Sequence, residues 1–232
     1  MKKNKLLAIA PVMPQETDIE SLAETLSFFH ERYDIDFIDP LTHMNDSNND
    51  AYYQQWKLAL NKYLPNYDAF VGFSFGGVIL QQCFSLFASL DKPIILFSTP
   101  TFADDALSEK LGSVISLCKE NQVIEALTCL YRDVFYPHHR PLQFPENFNQ
   151  EKAKKRLIFG LTRVLDTNST QIMAESTVKH LHFTGEQSHL VNAQNISIPK
   201  HGRLITVPGA GMRVLEDNLS FCKKIIGEIM PL

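Results

Sequence analysis

The sequence predicts an α/β fold: a doubly wound, mostly parallel sheet of about six strands with helices on both faces. Short apolar runs alternate with longer stretches of helical period, as in parallel sheets covered by helices on both sides. Of the 232 residues, 44% are hydrophobic and 21% charged, ordinary values for a chain able to bury a sizeable core. One domain spanning 1–232 accounts for the length, with an inserted helical lid over 103–177.

The elements follow in order. Leu6-Leu7-Ala8-Ile9-Ala10 reads as a buried strand, and after the loop 11–17 a helix starts near Asp18 with Leu22, Leu26 and Phe29 on one face. Tyr33 to Ile38 forms the second strand, closed by Asp39-Pro40. His43 to Asp50 is polar loop, and Tyr52, Trp56, Leu60 and Leu64 space a helix that Pro65 stops. Ala69 to Phe73 is the third strand, Gly77 to Ser89 a helix, and Pro93 to Phe97 the fourth strand. Residues 103–177 then show helical period and no strand: helices around Leu111, Ile115 and Cys118, over Val123 to Phe135, and over Glu151 to Leu165. Pro137, Pro141 and Pro145 mark an extended connection between the last two. Lys152, Lys154, Lys155 and Arg156 read as a solvated helix face. Strands return at Val178 to Phe183 and Arg203 to Val207, and Leu215 to Ile229 is the closing helix.

A formal charge of −4 lacks the basic excess that nucleic acid or an anionic membrane would need, so neither is an expected partner. The cysteines Cys83, Cys118, Cys129 and Cys222 are dispersed among apolar residues and read as free structural thiols; no metal or cofactor is expected. The apolar run after Met1-Lys2-Lys3 is short and broken by Pro11 and Pro14, unlike a secretory signal, and no stretch reaches membrane-span length. A cytoplasmic location is expected.

The chemistry concentrates at Gly72-Phe73-Ser74-Phe75-Gly76-Gly77, which joins an apolar strand to a helical pattern and fits G-x-S-x-G. A serine on so sharp a turn needs small residues two before and two after it, and the following helix aims its N–H groups at charge developing there. Gly72, Gly76 and Gly77 meet that need, and Ser74 is the candidate nucleophile.

From these residues onward the chain resembles the α/β-hydrolase superfamily over nearly its whole length, in particular its smaller lidded esterase- and thioesterase-like members. The resemblance implies that Phe183-Thr184-Gly185-Glu186 and Val207-Pro208-Gly209-Ala210-Gly211 are the loops that normally hold the catalytic acid and histidine. Here the acid position is Ser188 and the base position is Met212, while Glu216 and Asp217 still follow the second loop. Methionine cannot take a hydroxyl proton, so standard activity should fall by orders of magnitude. The first loop, Ala10-Pro11-Val12-Met13, also departs from the family pattern, and leaves the N–H groups of Val12 and Phe75 as the implied oxyanion donors. His189, beside the lost acid, is the candidate substitute base, with Glu186 or Asp104 as orienter. His180 and His182 share one side of a strand, His201 precedes the last strand and so lies at the opposite end of the sheet from Ser74, and the adjacent His138 and His139 converge poorly on a metal.

Two functions follow. One is a serine hydrolase of carboxylic ester or acyl-thioester type, with impaired or unconventional chemistry at Ser74. The other is a non-catalytic descendant that binds an acyl ligand or a protein partner, with Met212 in an apolar wall. The expected ligand is a small acyl ester or thioester, free or carrier-bound.

Overall fold

Leu6 and Ala8 face one side of the first strand, Leu7 and Ile9 the other, and all four have no exposed surface. Such a strand is covered on both faces, and the computed structural model, which describes residues 2–45 and 48–230, shows how. Six strands form one sheet: β1 (Asn4–Ile9), β2 (Tyr33–Ile38), β3 (Ala69–Phe73), β4 (Ile94–Phe97), β5 (Leu181–Gly185) and β6 (Arg203–Val207). Their order is β2-β1-β3-β4-β5-β6 and every pairing is parallel. The helices are α1 (Ser21–Thr25), α2 (Asn49–Tyr63), α3 (Phe75–Gln82), α4 (Asp105–Lys119), α5 (Val123–Val134), α6 (Gln150–Leu165), α7 (Thr170–Glu175), α8 (Val214–Asp217) and α9 (Leu219–Ile226). One core gathers Leu7 and Ile9 with Trp56 of α2, Val78 of α3 and Leu157 of α6; the other gathers Leu6 and Ala8 with Leu26, Leu215 and Ile226.

From β1 the chain builds the sheet outward in two directions, to β2 on one side and to β3 through β6 on the other. Connections from β1 and β3 therefore part at their carboxyl ends, which leaves a crevice there. Ser74 follows β3 and Val12 follows β1, so the crevice is where both candidate residues lie.

All six expected strands form, with shifted ends. The helix after β3 begins immediately behind Ser74 and stops at Gln82, where a 3-10 turn over Phe84–Leu86 takes over. The expected helix at Asp18 breaks into 3-10 turns at Glu16–Glu20 and Ser27–Phe29 around the short α1. The closing helix is divided at Asn218, whose side chain accepts the Phe221 N–H and caps α9. The segment between β4 and β5 carries helices and, among the described residues, no strand; the proline-bearing stretch between α5 and α6 is non-helical, and α7 is added to the expected three helices. Asp46 and Ser47 of the polar loop, together with Met1, Pro231 and Leu232, lie outside the described residues. Among the described residues no helix is long and apolar enough to cross a membrane.

One basic residue departs from expectation. Arg156 is 2% exposed rather than solvated. Its guanidinium donates to both Asp39 carboxylate oxygens at 2.8 and 3.0 Å, and its Nε–H donates to the Met13 carbonyl at 2.8 Å. Lys152 and Lys154 do reach outward, to Glu16 and Glu151. Cys83, Cys118 and Cys222 are buried and Cys129 is half-buried. Burial pushes the Cys83 and Cys222 thiols up to about 12, so they stay protonated and unreactive.

His182 is fully buried, with Nε2 against the Thr99 carbonyl at 2.8 Å and no partner at Nδ1. Protonation would place an unpaired N–H⁺ in the core. Burial, with His180 nearby, accordingly holds its pKa down to about 3 against an ordinary 6.5. Above pH 6.5 both states are neutral at this site and it has no effect; as pH falls below that value the unfolded chain takes a proton that the folded chain refuses until about pH 3. Stability should therefore drop by about 2 kcal/mol between pH 6 and 4.5 on account of His182. Denaturant unfolding of wild type and His182→Gln at both pH values checks this: the variant should lose that part of the pH slope, and equal slopes would contradict a neutral buried imidazole.

Candidate functional site

Ser74 is the first residue past β3 and the N-cap of α3, with φ +47° and ψ −112°. A non-glycine residue holds that left-handed backbone at a cost of roughly 1–3 kcal/mol, so its neighbours must enforce it. The Ser74 N–H donates to the Phe97 carbonyl at 2.9 Å and its own carbonyl accepts the Val78 N–H at 3.1 Å. A Cβ at Gly72 would stand 2.5 Å from the Gly77 Cα, and one at Gly76 would stand 2.2 Å from the Ile9 carbonyl oxygen. Backbone occupies both spaces, so only glycine lets β1, β3 and α3 meet. Gly77 is pressed in the same way by Thr99, whose Oγ1 would be 1.9 Å from an added Cβ.

The Phe75 N–H opens α3 and has no intrahelical acceptor. Among the described residues neither it nor the Val12 N–H donates to a backbone carbonyl outside the regular elements. Val12 is held in place by α6, since a Cβ on Gly160 would lie 2.5 Å from its Cγ2.

Ser74 opens into a cavity of about 640 Å³ that Val12, Ser98 and Met212 also line. Leu107 and Leu111 of α4, Leu130 and Val134 of α5, and Leu161 and Val164 of α6 supply apolar wall. Its charged lining comprises Asp18, Glu24, Arg140, Arg213 and Glu216. Burial raises the pKa of Asp18 and pushes the Tyr131 phenol upward, so the tyrosine is neutral at physiological pH.

The two loops that depart from the family pattern meet beside this cavity. The Gln187 N–H donates to the Ala210 carbonyl at 2.9 Å, and the Gly209 N–H donates to the Glu186 carboxylate at 2.9 Å. Ser188 is 6% exposed and its hydroxyl is unpartnered. Met212 faces the cavity, and its carbonyl accepts the Ser98 hydroxyl at 2.6 Å. Ser98 stands just past β4 at φ +44°, a second serine in left-handed backbone at the crevice. Sequence reasoning passed over it, although a serine directly behind a buried strand and before Thr99-Pro100 repeats the placement of Ser74.

His189 goes elsewhere. Its Nδ1 lies 3.5 Å from the Asp133 carboxylate and its ring stacks on Tyr136 at 3.7 Å, while Leu190 and Val191 turn into the cavity instead. The expected orienters are also engaged: Glu186 with the Gly209 N–H, and Asp104 with the Leu107 N–H at the start of α4. His138 faces Asp217 at 3.6 Å. Among the described residues no histidine lines the cavity, and no hydrogen bond joins the Ser74 hydroxyl to another residue.

No protein-family model and no curated protein sequence matches the chain. Solved structures do. An α/β hydrolase enzyme from a Medee basin deep-sea metagenome library superposes with a TM-score of 0.70 at 10% identity, over 99% of this chain and 90% of that one. The esterase from Exiguobacterium antarcticum gives 0.66 at 15% identity over 99% and 93%, and MenH from S. aureus gives 0.63 at 16% over 99% and 94%. The chain has the α/β-hydrolase fold.

Proposed function

We propose that this chain is an α/β-hydrolase-fold protein that takes an acyl ester or thioester into the Ser74 cavity and hydrolyses it poorly. The observation that carries this reading is an open, largely apolar cavity at a strained serine, with Met212 on its wall and no imidazole on the serine hydroxyl. The Val12 and Phe75 N–H groups would bind the ligand carbonyl oxygen, and the start of α3 would favour charge on it. Ser74 would be the attacking group. With Ser188 and Met212 in place of an acid and a base, its proton has no acceptor, and a hydroxyl at ordinary acidity is a weak nucleophile. The residues 103–177 act as a lid within a single domain, since α4, α5 and α6 supply the apolar wall over the serine.

That the cavity stays open beside Met212 also favours the second reading, a binding protein without turnover. Hydrolysis of short and medium acyl esters and thioesters by wild type and Ser74→Ala, with calorimetric binding of the same compounds to Ser74→Ala, tests both. Wild-type rates should stay within about tenfold of the variant while the compounds bind it. A wild-type kcat/KM at or above roughly 10⁴ M⁻¹s⁻¹, an ordinary enzyme value, that disappears in Ser74→Ala would overturn the claim of impairment. Absence of binding would overturn the acyl reading.

A further inference from the structure

Two arginines and one aromatic ring make a distinct corner of the cavity. The Arg213 guanidinium lies 4.6 Å from the Phe135 ring centre and that of Arg140 5.8 Å from it. Both arginines share a single carboxylate: Arg213 pairs with Glu216, and Arg140 lies 3.5 Å from the same oxygen. All four residues line the cavity that contains Ser74. The other acid of this loop, Asp217, is committed to the Gly211 N–H at 2.8 Å and faces His138. The cavity wall at this corner presents two guanidiniums and one carboxylate, with Asp217 outside the lining acting on Arg213 from the same loop, while the remaining acids of the lining, Asp18 and Glu24, come from the 3-10 turn and α1 after β1. Arg140 is more than half exposed and Arg213 only a quarter, so the corner runs from solvent inward.

We infer that Arg140 and Arg213 form a subsite for a carboxylate at the far end of the ligand whose ester or thioester carbonyl lies at Ser74. The substrate class is therefore the half-ester or half-thioester of a dicarboxylic acid. This rests on the acyl reading above and adds to it the charge of the remote end. The Glu216 carboxylate already marks the place where a carboxylate meets both forks, and planar guanidiniums suit bidentate carboxylate recognition. Phe135 lies within cation–π reach of both guanidiniums. Burial, with Arg140 next in effect, brings the Arg213 guanidinium down to about 10. It remains charged at neutral pH, and a second anion would offset that destabilisation. The apolar residues that line the same cavity suit the methylene chain of such a ligand.

The test compares binding of a medium-chain dicarboxylate monomethyl ester with its dimethyl ester by titration calorimetry, using Ser74→Ala to exclude turnover. The half-ester should bind at least about tenfold tighter at low salt, and the preference should shrink as ionic strength rises. Arg213→Gln and Arg140→Gln should each reduce the preference by about threefold or more, weakening the half-ester more than the diester. Unfolding midpoints of the variants confirm that they are folded; if Arg213→Gln is not, Arg140→Gln, being exposed, carries the test. Equal affinity for the two esters would overturn the subsite and leave the acyl reading standing. No binding of either would overturn both.

Discussion

Met212→His combined with Ser188→Asp should raise kcat/KM on short acyl esters by about 10²–10⁴-fold, the range that a positioned general base supplies. The scaffold for the change is present. The loops bearing the two positions are tied by the Gln187 N–H to Ala210 carbonyl bond and by the Glu186 carboxylate on the Gly209 N–H, and the Ser98 hydroxyl holds the Met212 backbone beside Ser74. An imidazole at 212 would face the same cavity as the serine, and a carboxylate at 188 would orient it through its other nitrogen. The single changes should do much less. Ser188 is buried with its hydroxyl unpartnered, so Ser188→Asp alone places an unpaired carboxylate in a dry position and should lower the unfolding midpoint. Met212→His alone lacks its orienter. Esterase rates of the four proteins, with thermal unfolding of each, measure the coupling, and an unchanged rate in a folded double variant would contradict the assignment of these loops.

The second large effect concerns stability. Arg156 joins α6 to the end of β2 through Asp39 and to the loop after β1 through the Met13 carbonyl, and is almost wholly buried. Arg156→Met should cost about 3–5 kcal/mol, because Asp39, itself only 13% exposed, is left charged without its partner. That corresponds to a fall of roughly 6–20 °C in unfolding temperature for a chain of this length. Arg156→Lys should recover little, since a point ammonium cannot bridge two carboxylate oxygens and a carbonyl together. Adding Asp39→Leu to Arg156→Met should restore much of the loss by removing the stranded charge. Denaturant titrations of these variants decide the matter; a cost below about 1 kcal/mol for Arg156→Met would mean that the pair contributes no more than a surface ion pair.

The inner strands β1, β3 and β4 were readable because they are buried on both faces, so the chain writes them as apolar runs, Leu6 to Ile9 being the clearest case, whereas the edge strands β2 and β6 mix polar with apolar residues. The turn at Ser74 was readable because close backbone approach demands glycine at fixed offsets from the serine. Arg156 was misread for the opposite reason. Lys152, Lys154 and Lys155 beside it give the segment a solvated look, and the carboxylate that draws Arg156 inward sits at the end of a distant strand. His189 was misplaced because adjacency to position 188 says nothing about side-chain direction, and Asp133 and Tyr136 from the end of α5 capture the ring. Arg140 and Arg213 carry no local signature, since their pairing exists only once the loop after β6 meets the segment after α5.

The central claim is that Ser74 stands on a built turn with no base to activate it. The most direct measurement is the rate at which a fluorophosphonate probe modifies Ser74, identified by peptide mass spectrometry, in wild type and in the Met212→His, Ser188→Asp double variant. Wild type should label no faster than Ser74→Ala, and the double variant should label at Ser74; rapid modification of Ser74 in the wild type would show that a base reaches it and would contradict the claim.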